Sequence, residues 1–447
     1  MRIVVRLAAA AAAIALGVGA WTPYDAAAAE PVDLGGQPVD GSTNPASPTV
    51  VEAGLWTSSL GPQSQPQHFT YDRQIKDSTV HVGVIGTPVT GGSDGIQIDA
   101  QVPTPDDTAP TECDSDYFTT DSTVPQALVG AEVIVGGEDP TDPCRGAGTV
   151  TIRVTRYDSS STGELPYALK IVEEAPVTEP GEPLPEDVEL TYDAPAPTDA
   201  ASTPEGAVSF DDAPVVAPHD GPVTIATEIT EGTELLWKVP LTWGEQLVVR
   251  GDLAGGVTYE EDPELADVAV YLRIVQPTRD VSALTESDHY SYNVFGEKTA
   301  RFFAATYPLR YTNRYGDLLP ALPGDHWVAV SVEPPAERAP MAVSVELTFA
   351  LEEVDVAPPT YQDAVLAQGG GDGPDGYSAD TPYLVGDGEF AAVASGNPFT
   401  PETEDDSWWG PRRYAGLGLG VVSLASCAAG AVWLARTRRV SRSAANR

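Results

Sequence analysis

Ser93 lies in Gly91-Gly-Ser-Asp-Gly95, the spelling of a nucleophile elbow. That chemistry needs a strained turn from strand to helix with the serine exposed at its tip. Ile96-Gln-Ile-Asp-Ala-Gln-Val follows instead, an alternating strand, so the five residues read as a hairpin loop. The five histidines (68, 81, 219, 289 and 326) are scattered, with no i,i+4 pair and no HExxH, so a zinc hydrolase is not indicated. Gly370-Gly-Asp-Gly-Pro-Asp375 spells one calcium repeat of the kind that parallel β-helices stack in many copies, and one copy builds no helix. Acidic clusters at 106–107, 112–116, 260–262 and 404–406 offer the oxygens that Ca²⁺ needs, but none has the spacing of a known loop. Asp114 and Asp116 are the metal candidates if calcium is bound. Tyr71, Trp237, Trp243 and Trp327 read as core aromatics rather than a ligand platform. No catalytic set is found, and the chain reads as a non-enzyme.

Cys113 and Cys144 are the only cysteine pair outside the apolar C-terminal segment, and a disulfide is expected between them. It would close a loop of about 30 residues, worth on the order of 3 kcal/mol. Two thiols with no histidine near them in sequence make no zinc site. Cys427 lies within the apolar segment as a small apolar residue.

The elements that would position these residues are strands. Val343, Val345, Leu347, Phe349 and Leu351 alternate with Ser344, Glu346, Thr348 and Ala350, and similar alternation marks 79–85, 96–102, 149–154 and 165–172. Period two places one face in a core and one in water, as in antiparallel sheet. The expected fold is mostly β: two antiparallel β-sandwich domains of jelly-roll-like form, plus one C-terminal transmembrane helix. The expected boundaries are a signal peptide at 1–29, a flexible lead at 30–51, a first sandwich at 52–174 and an acidic Pro-rich linker at 175–205. A second sandwich follows at 206–355, a Gly/Asp/Pro-rich stalk at 356–413, the transmembrane helix at 414–435 and a basic cytoplasmic tail at 436–447. The two sandwiches repeat one plan at the level of pattern, an aromatic strand, a turn and a second strand.

The ends carry the compartment. Two arginines, an apolar run and an Ala-rich segment open the chain in the layout of a secretory signal. Residues 414–435 carry no charge and would extend about 33 Å as a helix, enough to cross a bilayer. Trp408, Trp409, Tyr414 and Trp433 fall where an interfacial aromatic belt belongs, and the arginines after the segment place the C-terminus in the cytoplasm. The expected location is therefore the cell membrane, single-pass, with the N-terminal ectodomain outside. The chain has a net charge of −42; residues 30–410 carry about −50, partly offset by the basic ends. So acidic a protein repels phosphate backbones, and nucleic acid is excluded as a partner.

Leu236-Trp-Lys-Val-Pro-Leu-Thr-Trp-Gly-Glu-Gln-Leu-Val-Val and Leu322-Pro-Gly-Asp-His-Trp-Val-Ala-Val-Ser-Val resemble the bacterial pre-peptidase C-terminal type of β-sandwich. Tyr307-Pro-Leu-Arg-Tyr-Thr-Asn-Arg-Tyr is similar to the tail region of actinobacterial membrane proteins that carry a von Willebrand factor A domain upstream. The metal motif of that A domain, Asp-x-Ser-x-Ser, has no counterpart here. The resemblance covers about 150 residues and implies a sandwich that accompanies other modules. It transfers no catalytic residue and no cofactor. Together these readings lead to the expectation of a non-catalytic, membrane-anchored surface scaffold that holds another envelope or secreted protein. The alternative is a calcium- or glycan-binding surface domain.

Overall fold

The computed structural model describes residues 31–396, apart from the short internal segments 89–92, 105–108, 121–127, 138–140, 160–162, 185–188, 254–267, 282–292, 296–299, 317–319 and 333–339. Four large, mainly antiparallel sheets dominate. In the first sandwich, one sheet orders Thr49–Val51, Gln67–Asp72, Thr149–Tyr157, Asp94–Val102 and Thr111–Thr120. The facing sheet is built around Leu165–Glu174, which pairs with Gly54–Leu60 on one side and Thr79–Gly86 on the other; Val129–Val135 lies beyond Thr79–Gly86. Phe69, Val82, Ile98, Ile152, Leu169 and Ile171 fill the space between.

In the second sandwich, Val223–Thr230, Ala342–Glu353, Glu245–Leu253 and Ala300–Ala305 form one sheet. Glu234–Leu241, Gly324–Val332, Val268–Val275 and Asn293–Phe295 form the other. Trp237, Leu247, Leu272, Val330, Leu347 and Phe349 pack between them.

Two of these sheets are buried on both faces. Ile85 and Ala168 on the outer face of the first sandwich meet Leu236, Val275, Trp327 and Ala329 on the outer face of the second. Val32, Leu34 and Phe210 complete this third cluster. At about 25 cal/mol per Å² of apolar surface, a cluster of this kind holds two modules in one orientation. Gly324–Val332 is accordingly buried at every position.

The described parts of the Pro-rich linker 175–205 are hydrogen-bonded to the second sandwich. Thr312 Oγ1 donates to the Glu182 carbonyl, Gln246 Nε2 to that of Thr191 and Arg250 Nη1 to that of Pro195. Part of the segment read as a stalk also folds back. Thr360–Tyr361 pairs with Val177–Glu179, and Tyr383–Gly386 extends the sheet of Leu165–Glu174. Tyr361, Val365, Tyr383 and Val385 bury against Ile75 and Val172.

The expectation of a C-terminal transmembrane helix is corrected. Among the described residues no helix is long and apolar enough to cross a membrane, and the α-helix Pro143–Gly146 spans a single turn of 4 residues. Apolar residues here alternate along strands and enter sheet cores, and that pattern supplies no uninterrupted apolar helix. Residues 414–435, the belt aromatics Trp408, Trp409, Tyr414 and Trp433, and the signal segment 1–29 lie outside the described residues. The single-pass topology, the cell-membrane location and the anchored-scaffold function rested on that helix and are corrected with it, as statements about the described residues.

Candidate functional site

The site begins at a turn. After Val268–Val275 the chain reverses through Gln276-Pro-Thr-Arg-Asp280, closed by Arg279 N donating to the Gln276 carbonyl at 2.9 Å and Gln276 N donating to that of Asp280 at 2.9 Å. Arg279 has φ of 78°, a left-handed conformation that costs a non-glycine residue roughly 1–2 kcal/mol. Close packing on the first sandwich imposes it. A Cβ on Gly83 would lie 1.9 Å from the Thr278 carbonyl oxygen, and one on Gly130 would lie 2.8 Å from that of Arg279. Two adjacent strands thus use glycine where the turn lies on them. Thr278 Oγ1 then donates to Glu132 Oε2 at 2.9 Å.

The docked turn delivers Arg279 into an aromatic cage. Its guanidinium carbon lies 4.0 Å from the Phe210 ring centroid and 4.2 Å from that of Trp327. Trp327 Nε1 donates to the Phe210 carbonyl at 3.0 Å, which fixes the two rings relative to each other. Arg279 is buried, and its Nη1 has no hydrogen-bond partner. Burial pushes its pKa down to about 9, and the carboxylates of Asp211 and Asp325, farther away, oppose that shift. Cation–π contact of this kind contributes about 2 kcal/mol when desolvated, but it leaves the N–H donors unsatisfied.

Lys170 is the second cation. It sits on the outer face of Leu165–Glu174, between Ala168 and Val172, and is 8% exposed. Among the described residues its ammonium makes no hydrogen bond or ion pair, and it is not sealed from the cavity it faces. Burial and then the charge of Arg279 push its pKa down to about 8, with Glu389 opposing. Both cations line one cavity of about 670 Å³ between the sandwiches, together with Trp56, Lys238, Asp325 and Ser395. Ser395 Oγ is also buried without a partner. A guanidinium whose Nη1 is buried without a partner destabilises a fold, so the retention of Arg279 points to a bound counter-charge.

A stability experiment follows from the sign of the Lys170 shift. From pH 8 to 10.5 the unfolded chain holds a proton that the folded chain has released, so this residue makes stability rise with pH there. Below pH 8 the penalty is in full force. Lys170→Met is therefore expected to raise stability at pH 7 by on the order of 2 kcal/mol, read by urea denaturation. A destabilised variant would show that the ammonium has a partner.

A second cavity, of about 880 Å³, lies over the Glu245–Leu253 sheet. Its two arginines are already engaged. Arg250 donates to Asp252 at 2.6 Å and Arg301 donates to it at 2.9 Å. Burial would raise the Asp252 pKa, but these two guanidinium groups outweigh it and hold the group below its ordinary value. With its charges satisfied internally, this cavity makes the weaker claim on a ligand.

The residues singled out from sequence are placed elsewhere. Cys113 and Cys144 form a disulfide with Cα atoms 5.6 Å apart. Its reduction is expected to cost about 3 kcal/mol, visible as a lower melting temperature by calorimetry with reductant. Asp114 and Asp116 cap a sheet edge. Asp114 Oδ2 accepts from Ile134 N at 2.8 Å, and Asp116 Oδ2 accepts from Glu132 N at 3.1 Å. Their other oxygens accept from Ser115 N and Tyr117 N. Among the described residues no group of three or more His, Cys, Asp or Glu could hold a metal ion. Tyr71 and Trp237 are core residues, Trp243 packs against the second core, and Trp327 is the cage wall. Ser93 leads directly into the strand Asp94–Val102. The sequence reading missed Lys170 and Arg279; a lysine in the apolar run Leu165-Pro-Tyr-Ala-Leu-Lys-Ile-Val was the available signal.

No family model matches this chain, and no curated protein matches it. Among solved structures it is similar to the pre-peptidase C-terminal domain of collagenase from Bacillus anthracis, at 12% identity and a TM-score of 0.17, covering 28% of this chain and 92% of that one. It is similar to a CBM28 module specific for non-crystalline cellulose, at 12% identity and a TM-score of 0.20, covering 26% of this chain and 72% of that one. A third is the tandem CBM22 domain of Paenibacillus barcinonensis Xyn10C, at 12% identity and a TM-score of 0.17, covering 67% of this chain and 92% of that one. Scores this low carry no argument for a family or a function.

Proposed function

We propose that this is a non-catalytic binding protein whose site is the cleft between its two sandwiches, where a small ligand places an anionic group against Lys170 and Arg279. The caged, unpaired guanidinium of Arg279 carries the reading. The strained turn that presents it is held by glycines in the other sandwich, so the two modules build the site jointly. Among the described residues no group beside the cleft cations is arranged as a nucleophile with its base.

Isothermal titration of the whole protein with small mono- and dicarboxylates and inorganic phosphate tests this. At least one is expected to bind one to one, and to lose tenfold or more in affinity in Lys170→Met. The proposal is overturned if none binds, or if Lys170→Met binds as well as the native protein.

A further inference from the structure

Lys170 and Arg279 are neighbours by strand register as well as by cavity. Lys170 pairs across the sheet with Leu55 on one side and with Gly83 on the other. Residues directly opposite each other in this way share a face. Gly83 is the position on which the Thr278 carbonyl rests, one residue before Arg279. The lysine side chain therefore rises beside the docked turn, into the cavity that Arg279 also lines.

Among the described residues the Lys170 ammonium makes no hydrogen bond or ion pair, and Arg279 Nη1 is sealed without a partner. Two like charges in one desolvated space repel, and each raises the cost of the other. A single change of chemistry relieves both. Converting Lys170 from a cation to an anion turns the repulsion into an ion pair with Arg279. Glu389 is the carboxylate that acts on Lys170. It is exposed, so solvent screens its repulsion of an anion, whereas Arg279 is buried and acts with little screening.

We propose that Lys170 is a carbamate site: its neutral amine adds carbon dioxide, and the carbamate so formed pairs with the guanidinium of Arg279. The amine lone pair attacks the carbon of CO₂, an N–C bond forms, and one C=O electron pair moves onto oxygen. The surplus N–H proton passes to water, which leaves Lys-NH-COO⁻. Nothing is oxidised or reduced. CO₂ is uncharged, so it enters a desolvated cleft without the cost that an ion meets. Addition needs the amine and not the ammonium. Burial and Arg279 bring the Lys170 pKa down to about 8, so roughly a tenth of it is amine at pH 7, against well under a thousandth for an ordinary lysine. An aldehyde adduct would keep the nitrogen neutral or cationic and leave Arg279 unpaired. The carbamate needs no ligand of the kind proposed above. A bound carboxylate would claim the same guanidinium, so the two exclude each other.

Whole protein is equilibrated with labelled bicarbonate, the source of CO₂, and treated with triethyloxonium to fix any carbamate as its ethyl ester. Peptide mass spectrometry then locates the adduct. Lys170 is expected to carry it at least tenfold more often than the exposed Lys76. Arg279→Gln is expected to lose it. Bicarbonate is expected to raise the melting temperature over equal chloride in the native protein and not in Lys170→Met. A trapped fraction at Lys170 no greater than at Lys76, or one unchanged in Arg279→Gln, overturns the proposal. So does a melting temperature raised by bicarbonate with no adduct trapped, which leaves anion binding standing. An adduct at Lys170 with no small carboxylate or phosphate bound by titration supports the carbamate and overturns the ligand reading alone.

Discussion

Gly83→Val is expected to separate the two sandwiches. The new Cβ would fall 1.9 Å from the Thr278 carbonyl oxygen, which is backbone and has no flexible end to turn aside. The strand cannot retreat, because Val82 and Val84 on either side are fully buried in the first core. The turn 276–280 must therefore lift away. Overpacking costs about 1–3 kcal/mol in a tolerant site and more where backbone is struck. Losing the turn also removes the Thr278–Glu132 hydrogen bond and exposes the apolar surface of Ile85, Val275 and Ala329. Calorimetry should show two transitions in place of one, with each sandwich melting near its own temperature. Gly83→Val should also abolish ligand binding, because Arg279 leaves the cleft. A single unchanged transition would mean that the turn is not what joins the modules.

Arg314→Met is expected to lose about 3–5 kcal/mol, the cost of leaving a buried carboxylate without its partner. Arg314 comes from the turn Tyr311–Tyr315 of the second sandwich and donates to both oxygens of Glu174, at 2.5 and 3.2 Å. His81 Nε2 lies 3.1 Å from Glu174, and the Tyr361 hydroxyl donates to it at 2.7 Å. This knot ties the first sandwich, the second and the folded-back segment together. Burial would raise the Glu174 pKa, but Arg314 and His81 outweigh it and bring it down to about 2. The stabilisation is therefore complete above pH 4.5 and is lost as pH falls toward 2, a loss of about 3 kcal/mol. Burial also opposes the charged form of His81, but hydrogen bonds to Glu132 and Glu174 outweigh it and raise its pKa. Its contribution has the opposite sense, present below pH 6.5 and lost as pH rises through the raised value. In Arg314→Met the acid-side loss should shrink, because His81 alone is then left to hold the Glu174 carboxylate charged against burial. Urea melts from pH 2 to 8 would show this.

The strands were legible where one face meets water. Ala342–Glu353 alternates exposed and buried residues as its sequence does, up to Leu347. In Gly324–Val332 the second face is buried too, with Trp327 and Ala329 against the other sandwich. Period two cannot say whether the second face is wet. Small residues at outer positions, Gly83, Gly130 and Ala168, were the trace of that contact. At 175–205 composition says nothing of where the linker lies: proline removes a donor but keeps its carbonyl, and Glu182, Thr191 and Pro195 accept hydrogen bonds through theirs from the second sandwich. The cysteine pair was legible from counting alone. The site was not, because Lys170 and Arg279 belong to different sandwiches and meet only when the modules dock.

The most direct measurement is the titration of the Lys170 ammonium itself, followed by NMR of its labelled Cε in the whole protein, with and without a saturating small carboxylate. In the empty cleft the midpoint should lie near pH 8, because burial and Arg279 disfavour the charge. With the carboxylate bound it should move upward by a unit or more, as the anion supplies the missing partner. A midpoint at the ordinary lysine value in the empty protein, or one that no carboxylate moves, would contradict the assignment of this cleft as the binding site.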